Sequence, residues 1–177
     1  MIFYFGTFNP IHKGHLKIVD FVEQTYKESV ILVPAYDSPW KPNLKETFEH
    51  RCNMINLCNV SCCNIEKELP TPSYTWQTVN KLYEKFKPVK LIIGFDQFFS
   101  LPKWKRPATL KKKCEFIVIP REIKQDLIIE YGWHFNILDM PTINISSSEI
   151  RQLLHDKKPC DMITSEVYAY IKEHNLY

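Results

Sequence analysis

The stretch GTFNPIHKGH, from Gly6 to His15, directly follows the apolar run IFYF at residues 2–5. This pattern predicts a buried strand, a glycine turn and the first turn of a helix. A helix start presents unpaired N–H groups and a partial positive charge, so it suits a phosphate. His12 and His15 share one face of that turn, where both imidazoles can donate hydrogen bonds to phosphate oxygens. Spacing alone predicts an anion-binding strand–turn–helix and leaves open that the two histidines are ordinary surface residues.

A second helix start lies near the other end of the chain, in ISSSEIR at residues 145–151. Ser146 and Glu149 have the spacing of a capping box, which predicts that a helix begins here. Ser147 and Arg151 are four residues apart, so their hydroxyl and guanidinium groups share a face of the first turn. They could form a second phosphate cradle. The alternative is that the serines only cap the helix.

Short apolar runs alternate with amphipathic stretches along the chain. The runs predict strands at 2–5, 30–33, 64–68, 89–93, 114–119 and 135–138, and the amphipathic stretches predict helices at 12–26, 46–57, 74–86, 147–155 and 164–173. Apolar strands separated by helices are typical of a parallel sheet covered on both faces. We therefore predict an α/β fold: a Rossmann-like, doubly wound parallel sheet in a single domain over residues 1–177, with C-terminal helices from about 146. Ligands of such sheets bind beyond the carboxyl ends of the strands, and the proline-rich stretch 34–45 is a candidate binding loop.

The composition argues against several other classes of protein. A formal net charge of +3 over 177 residues is too small to favour a nucleic-acid partner. No apolar run approaches the roughly twenty residues that span a bilayer, and no leader-like segment is visible, so we expect a cytoplasmic protein without a membrane partner. The six cysteines lack the spacing of a metal finger and are expected to be free thiols.

The two helix-start motifs resemble those of one enzyme family. GTFNPIHKGH resembles the HxGH signature of the nucleotidylyltransferase superfamily, in the form found in bacterial nicotinate mononucleotide adenylyltransferases. ISSSEIR resembles the ISSTxIR signature of the same enzymes, with Ser148 in place of the usual threonine, a change that keeps the hydroxyl group. The resemblance covers nearly the whole chain, from Gly6 to the stretch 168–177.

The resemblance implies which residues contact ATP. It gives catalytic roles to His12, His15 and Arg151, which would stabilise charge on the transferring phosphates. GFD at 94–96 resembles the family's G-x-D, and Arg121 resembles its phosphate-contacting arginine, with an exposed loop residue as the alternative. The full predicted ATP-binding set is Gly6, Thr7, Phe8, His12, His15, Gly94, Asp96, Arg121, Ser146, Ser147 and Arg151.

The second substrate is implied to contact three further residues. SYT at 73–75 resembles a family element that places Thr75 near the pyridine mononucleotide, with a helix cap as the alternative. LPKW at 101–104 resembles the family's LPxW, which implies that Trp104 stacks on the nicotinate ring, with a core position as the alternative. Lys41 is implied to meet a phosphate. The sequence departs from the family at Phe5, Trp40 and Lys105, where a glycine, a histidine and often an aromatic residue are expected.

The resemblance implies adenylyl transfer as the reaction. The phosphate of nicotinate mononucleotide attacks the α-phosphorus of ATP, pyrophosphate leaves, and nicotinate adenine dinucleotide forms, a step of NAD biosynthesis. The nucleophile is already anionic, so no general base is needed, and catalysis rests on alignment and charge stabilisation. Mg²⁺ is expected to arrive with ATP, and no metal site on the protein is predicted.

Other functions stay open from the sequence. Another acceptor, such as nicotinamide mononucleotide, phosphopantetheine or a polyol phosphate, would keep the chemistry and change the substrate. A regulatory module would bind ATP without turning it over, and an RNA-binding or tRNA-charging fragment would share the histidine signature. Homo-oligomer formation is also left open. The enzyme interpretation requires that His12 and Arg151 meet around one triphosphate.

Overall fold

The computed structural model describes residues 1–37, 47–120 and 132–177. In these ranges six strands form one sheet, in which all neighbours are parallel and the order is β3-β2-β1-β4-β5-β6. The strands are β1 (Ile2–Gly6), β2 (Val30–Pro34), β3 (Ser61–Cys62), β4 (Val89–Gly94), β5 (Cys114–Ile119) and β6 (Phe135–Ile137). This is the strand order of a doubly wound, Rossmann-like sheet, so the predicted α/β fold is confirmed.

The strand order reverses at β1, which lies between β2 and β4. Where the chain leaves two neighbouring strands toward opposite faces of the sheet, a crevice opens at the carboxyl ends of these strands. The pairing between β1 and β4 runs as far as Tyr4 and Ile92, two residues before Gly6 and Gly94 end these strands. The two strands therefore part where a ligand is expected.

Helices cover both faces of the sheet. They are α1 (Lys13–Tyr26), α2 (Phe48–Asn56), α3 (Thr75–Leu82), α4 (Phe95–Ser100), α5 (Pro107–Lys113), α6 (Ser147–His155) and α7 (Ser165–Glu173). Alternate residues of a strand point to opposite faces, so Ile2 and Tyr4 pack with α1, α2, α6 and α7, whereas Phe3 packs with α3, α4 and α5. Because the inner strands are buried on both sides, their apolar runs were readable from the sequence.

The prediction of a strand at 64–68 is wrong. Residues Ile65–Glu68 form a 3₁₀ turn, and the third strand is the two-residue β3, which pairs with β2 at the edge of the sheet. Two residues are too few to show an alternating pattern, so the sequence carried no signal for β3. The predicted helix 74–86 is shorter in the structure and ends at Leu82, ahead of Pro88.

Two helices were not predicted. Helices α4 and α5 have six and seven residues, too few for a clear helical period. No helix in the described ranges is both long and apolar enough to cross a membrane. The six cysteines are free thiols, and Cys114 is buried.

Candidate active site

The turn between β1 and α1 is closed from one side by an aromatic ring. A Cβ at Gly6 would lie 2.7 Å from Cζ of Phe8, so any larger residue at this position would have to displace the Phe8 ring. Phe8 adopts a left-handed backbone with φ of 49°, which is uncommon for a bulky residue. Its buried ring packs edge-on against Tyr4 and His15, with centroids 5.4 and 5.0 Å away. The Phe8 side chain thus belongs to the core, and the prediction that Phe8 contacts ATP can apply only to its backbone.

His12 and His15 cap the start of α1 reciprocally. The N–H of His15 donates to Nδ1 of His12, and the N–H of His12 donates to Nδ1 of His15, each at 3.3 Å. The two rings stack with centroids 3.6 Å apart. An Nδ1 that accepts a hydrogen bond carries no proton, so each neutral ring holds its proton on Nε2. The pair therefore provides two nearly parallel imidazoles with Nε2–H donors at a helix start, a combination that suits phosphate oxygens.

Burial keeps His12 uncharged. The residue is 6 % exposed, and its removal from water lowers the pKa from 6.5 to about 4. At neutral pH the ring is thus a neutral donor. A neighbouring anion favours the protonated form of an imidazole, so a bound polyphosphate would raise this pKa.

The start of α6 is bonded directly to the turn that precedes His12. The hydroxyl of Ser147 donates to the carbonyl oxygen of Pro10 at 3.1 Å. Nη1 of Arg151 donates to the carbonyl oxygen of Asn9 at 2.7 Å. The structure therefore brings together the two motifs that lie near opposite ends of the chain.

Gly14 permits the close approach of α1 to the segment that leads into α6. A Cβ at Gly14 would lie 2.9 Å from Cγ2 of Ile143, in the segment that leads into α6, and 3.0 Å from Nδ1 of His12. Ser146 caps α6 by accepting a hydrogen bond from the N–H of Ser148 at 3.2 Å. The same glycine thus leaves room both for the second motif and for the stacked histidines.

Gly94 and Asp96 lie at the carboxyl end of β4, next to β1 in the sheet. Gly94 precedes α4, and a Cβ added there would meet no described residue within 4 Å. Among the described residues, the backbone at Gly94 therefore borders open space, as expected for a residue that lines a crevice. Asp96 is exposed in the first turn of α4, where its carboxylate can accept hydrogen bonds from a hydroxyl-bearing ligand.

Thr75 is the first residue of α3. The N–H of the preceding Tyr74 donates to Oε1 of Gln77 at 2.7 Å, which fixes this helix start. Ser73 is buried and does not cap the helix. Its hydroxyl donates instead to Glu66 at 2.8 Å.

Trp104 is half-buried at the edge of the core that contains α3, α4 and α5. Its indole N–H donates to Oγ of Ser100 at 3.0 Å, so the orientation of the ring is fixed. The ring is therefore neither a fully buried core side chain nor a freely rotating surface one. A fixed, partly exposed indole can stack on a planar ligand.

Glu66, which is 5 % exposed, was not predicted from the sequence as part of the site. Its carboxylate accepts hydrogen bonds from the N–H of Tyr36 at 3.0 Å, from Ser73 at 2.8 Å and from the hydroxyl of Thr78 at 2.9 Å. Tyr36 follows β2, whereas Ser73 precedes α3 and Thr78 lies within it. One buried carboxylate therefore joins the end of β2 to the start of α3. A glutamate beside a lysine looks like a solvated residue in the sequence, and no periodic signal marks it.

Arg51, which is 1 % exposed in α2, was not predicted from the sequence either. Its guanidinium donates to the carbonyl oxygens of Thr7 at 2.8 Å and Ala35 at 2.7 Å. It therefore links the turn after β1 to the residue after β2 and places a positive charge beneath the turn. Arg51 lies at helical spacing from the apolar residues Phe48, Met54 and Ile55, and this spacing was the sequence signal that it faces inward.

Some predicted residues lie outside the described ranges. These are Trp40, Lys41 and Arg121, so their predicted roles stay predictions. Within the described ranges, no group of three or more His, Cys, Asp and Glu side chains is arranged to hold a metal ion.

Comparison with known proteins identifies the family. A sequence model of the cytidylyltransferase-like family matches residues 3–153, and the chain belongs to this family. It is 34 % identical to a protein of Caldicellulosiruptor saccharolyticus named probable nicotinate-nucleotide adenylyltransferase, over 97 % of this chain and 95 % of that one. A protein of Hydrogenobaculum sp. with the same name is 33 % identical over 99 % of this chain and 96 % of its own length. The family expected from the motifs is thereby confirmed.

Solved structures confirm the fold. The nicotinic acid mononucleotide adenylyltransferase of Plasmodium falciparum, complexed with NaAD, superimposes with a TM-score of 0.83 at 21 % identity. The superposition covers 99 % of this chain and 96 % of the Plasmodium chain.

Proposed function

We propose that this chain transfers AMP from ATP to nicotinate mononucleotide, giving nicotinate adenine dinucleotide and pyrophosphate. The contact between the two helix starts carries the proposal, because Ser147 and Arg151 are bonded to the two residues that lead toward His12. The full-length relatives named nicotinate-nucleotide adenylyltransferase support the choice of substrates. The Plasmodium enzyme of the same fold was solved with a nicotinate dinucleotide.

The proposed reaction is an in-line displacement at phosphorus. A phosphate oxygen of the mononucleotide forms a bond to the α-phosphorus of ATP while the bond from that phosphorus to the bridging oxygen of the β-phosphate breaks. The bridging oxygen leaves with the electron pair as part of pyrophosphate. Because the attacking oxygen is already ionised at neutral pH, the protein has to align the two substrates and stabilise charge.

The stacked histidines are proposed to donate from Nε2–H to oxygens of the triphosphate. Their Nδ1 atoms are held by backbone N–H groups, so the donors are oriented before ATP arrives. The low pKa of His12 leaves it neutral in the ligand-free protein. As negative charge builds up on the leaving group, the ring can donate more strongly without a prior cost of burying a cation.

The remaining predicted residues divide between the two substrates. Ser147 and Arg151 are proposed to contact the triphosphate, and Gly94 and Asp96 the nucleoside of ATP. Thr75 and Trp104 are proposed to meet the pyridine mononucleotide. Lys41 and Arg121 are proposed as phosphate contacts on the basis of their sequence positions alone.

We propose that ATP enters as its magnesium complex. The groups around the turn after β1 are imidazole, guanidinium, hydroxyl and backbone N–H. These groups bind phosphate oxygens well, whereas Mg²⁺ prefers carboxylates, waters and the phosphates themselves. The fit is thus to a metal held by the substrate, which would neutralise charge on the triphosphate.

The test is an acceptor panel with ATP and magnesium. Pyrophosphate and dinucleotide are measured separately for nicotinate mononucleotide, nicotinamide mononucleotide and phosphopantetheine. We expect one pyrophosphate for each dinucleotide, with the highest kcat/KM for nicotinate mononucleotide. ATP binding without pyrophosphate release for any acceptor would identify a regulatory module, and preference for phosphopantetheine would reassign the substrate.

A further inference from the structure

The segment that carries Trp104 is held in place between α4 and α5. After α4 the chain forms a 3₁₀ turn over Leu101–Lys103, in which Leu101 is fully buried. Trp104 follows and is held by its bond to Ser100 at 3.0 Å. The positions of the next residues are therefore set from both sides, by this turn and by the start of α5.

Two cations after Trp104 lie on aromatic rings of the segment around Thr75. Nζ of Lys105 is 4.2 Å from the centroid of the Tyr74 ring. The guanidinium carbon of Arg106 is 4.1 Å from the centroid of the Trp76 ring. Each contact lies within the range of a cation–π interaction, which contributes about 0.5–1 kcal/mol at an exposed site. The ammonium group of Lys105 is thus held beside the residue that precedes Thr75.

This position relates Lys105 to the acceptor. Lys105 directly follows Trp104 in the chain, and its ammonium lies over the neighbour of Thr75. Trp104 and Thr75 are the two residues proposed above to meet the pyridine ring. The positive charge is therefore carried by a residue that follows Trp104 and is held on the residue that precedes Thr75.

We propose that Lys105 recognises the carboxylate on the pyridine ring of the acceptor and thereby favours the acid over the amide. This inference rests on the proposed function. An ammonium group has three donors and a full positive charge, so it pairs with a carboxylate. A carboxamide is neutral and presents N–H donors as well as one oxygen, so it gains less from the same neighbour. Lys105 is exposed, and a bound ring would shield it from part of the water that weakens surface ion pairs.

Arg106 is less suited to this role. It has a left-handed backbone at the start of α5, with φ of 55°. Its guanidinium stacks on Trp76, one residue beyond Thr75 into α3.

Lys103 precedes Trp104 and is exposed, and it provides a matched lysine on the same segment.

The experiment compares the acid and amide acceptors in the wild type and three variants. We measure kcat/KM for nicotinate mononucleotide and for nicotinamide mononucleotide, with saturating ATP, in the wild type, Lys105→Gln, Lys103→Gln and Lys105→Arg. Lys105→Gln is expected to lower the acid-to-amide ratio about five- to tenfold, through KM for the acid. Lys103→Gln should leave the ratio unchanged. Lys105→Arg should retain most of the wild-type ratio because the positive charge is kept. The KM for ATP serves as the check that the fold is intact.

Two results would overturn the inference. An unchanged ratio in Lys105→Gln would show that the ammonium does not reach the acceptor. Equal losses with both acceptors would show that Lys105 acts only by packing on Tyr74. Both results require an active wild type, so they differ from failure of the proposed function, in which the wild type would adenylate neither mononucleotide and the inference would fall with it.

Discussion

Replacing His12 should remove part of the acid sensitivity of the fold. The pKa of His12 is about 4 in the folded protein and 6.5 without burial. As the pH falls, the unfolded chain therefore takes up this proton first, so the stabilisation is complete above about pH 6.5 and is lost towards pH 4. The full difference corresponds to about 3 kcal/mol, of which about 2 kcal/mol is lost by pH 5.

The assay is urea unfolding at pH 7.5 and pH 5.0. His12→Asn keeps a side-chain acceptor at the start of α1 but does not titrate. The wild type should lose about 2 kcal/mol more free energy of unfolding between the two pH values than this variant does. His155→Gln, which replaces an exposed histidine, should behave as the wild type. Equal pH dependence in the wild type and His12→Asn, or an imidazole titration of His12 by NMR near pH 6.5, would refute the reasoning.

Three further predictions concern the site. His15→Ala should lower kcat at least about a hundredfold with the fold intact, because an oriented donor to the phosphates is lost; near-normal turnover would remove His15 from the mechanism. Trp104→Ala should raise KM for the mononucleotide more than KM for ATP, because the ring is expected to stack on one substrate only, and equal effects in steady-state kinetics would mean that Trp104 is a core residue. Glu66→Ala should lower the free energy of unfolding by about 3 kcal/mol, because the N–H of Tyr36 and the hydroxyl of Thr78 lose their acceptor and the hydroxyl of Ser73 keeps only the carbonyl oxygen of Asp37. Glu68→Ala, at an exposed position of the same turn, should change it by less than about 0.5 kcal/mol, and similar losses in both would contradict the role of the buried network.

The strands were predictable where burial on both faces leaves a continuous apolar run. Strands β2 and β5 end at or next to a proline, so even their limits were marked in the sequence. The edge strand β3 has only two residues, Ser61 and Cys62. Its position is set by backbone pairing with β2, and such pairing leaves no side-chain pattern in the sequence. Local patterns thus predicted the centre of the sheet and the edge strand β6, but not the two-residue edge strand β3.

The candidate site was predictable in its motifs but not in its supports. Spacing placed His12 and His15 on one face, yet the reciprocal capping through Nδ1 depends on the extended backbone of His12, with φ of −146°. Arg51 and Glu66 bond to groups that are distant in sequence, and a charged residue predicts exposure unless its partners are known. The parts that sequence could not supply are therefore those in which one side chain joins two segments.

Arg151 illustrates how the fold and the site share the same bonds. A guanidinium has five N–H donors in a rigid plane. Arg151 uses one for the carbonyl of Asn9 at 2.7 Å and one for the hydroxyl of Ser148 at 3.1 Å, and the proposed contacts with phosphate oxygens would use others. The side chain of Asn9 also accepts a hydrogen bond from the hydroxyl of Tyr177, so the turn after β1 is held by two residues from the far end of the chain. A lysine has three donors on one nitrogen and cannot bridge this turn and a phosphate with the same geometry. The contacts that dock α6 thus also fix the guanidinium of Arg151 beside the turn after β1, although Arg151 and Asn9 are 142 residues apart in the chain.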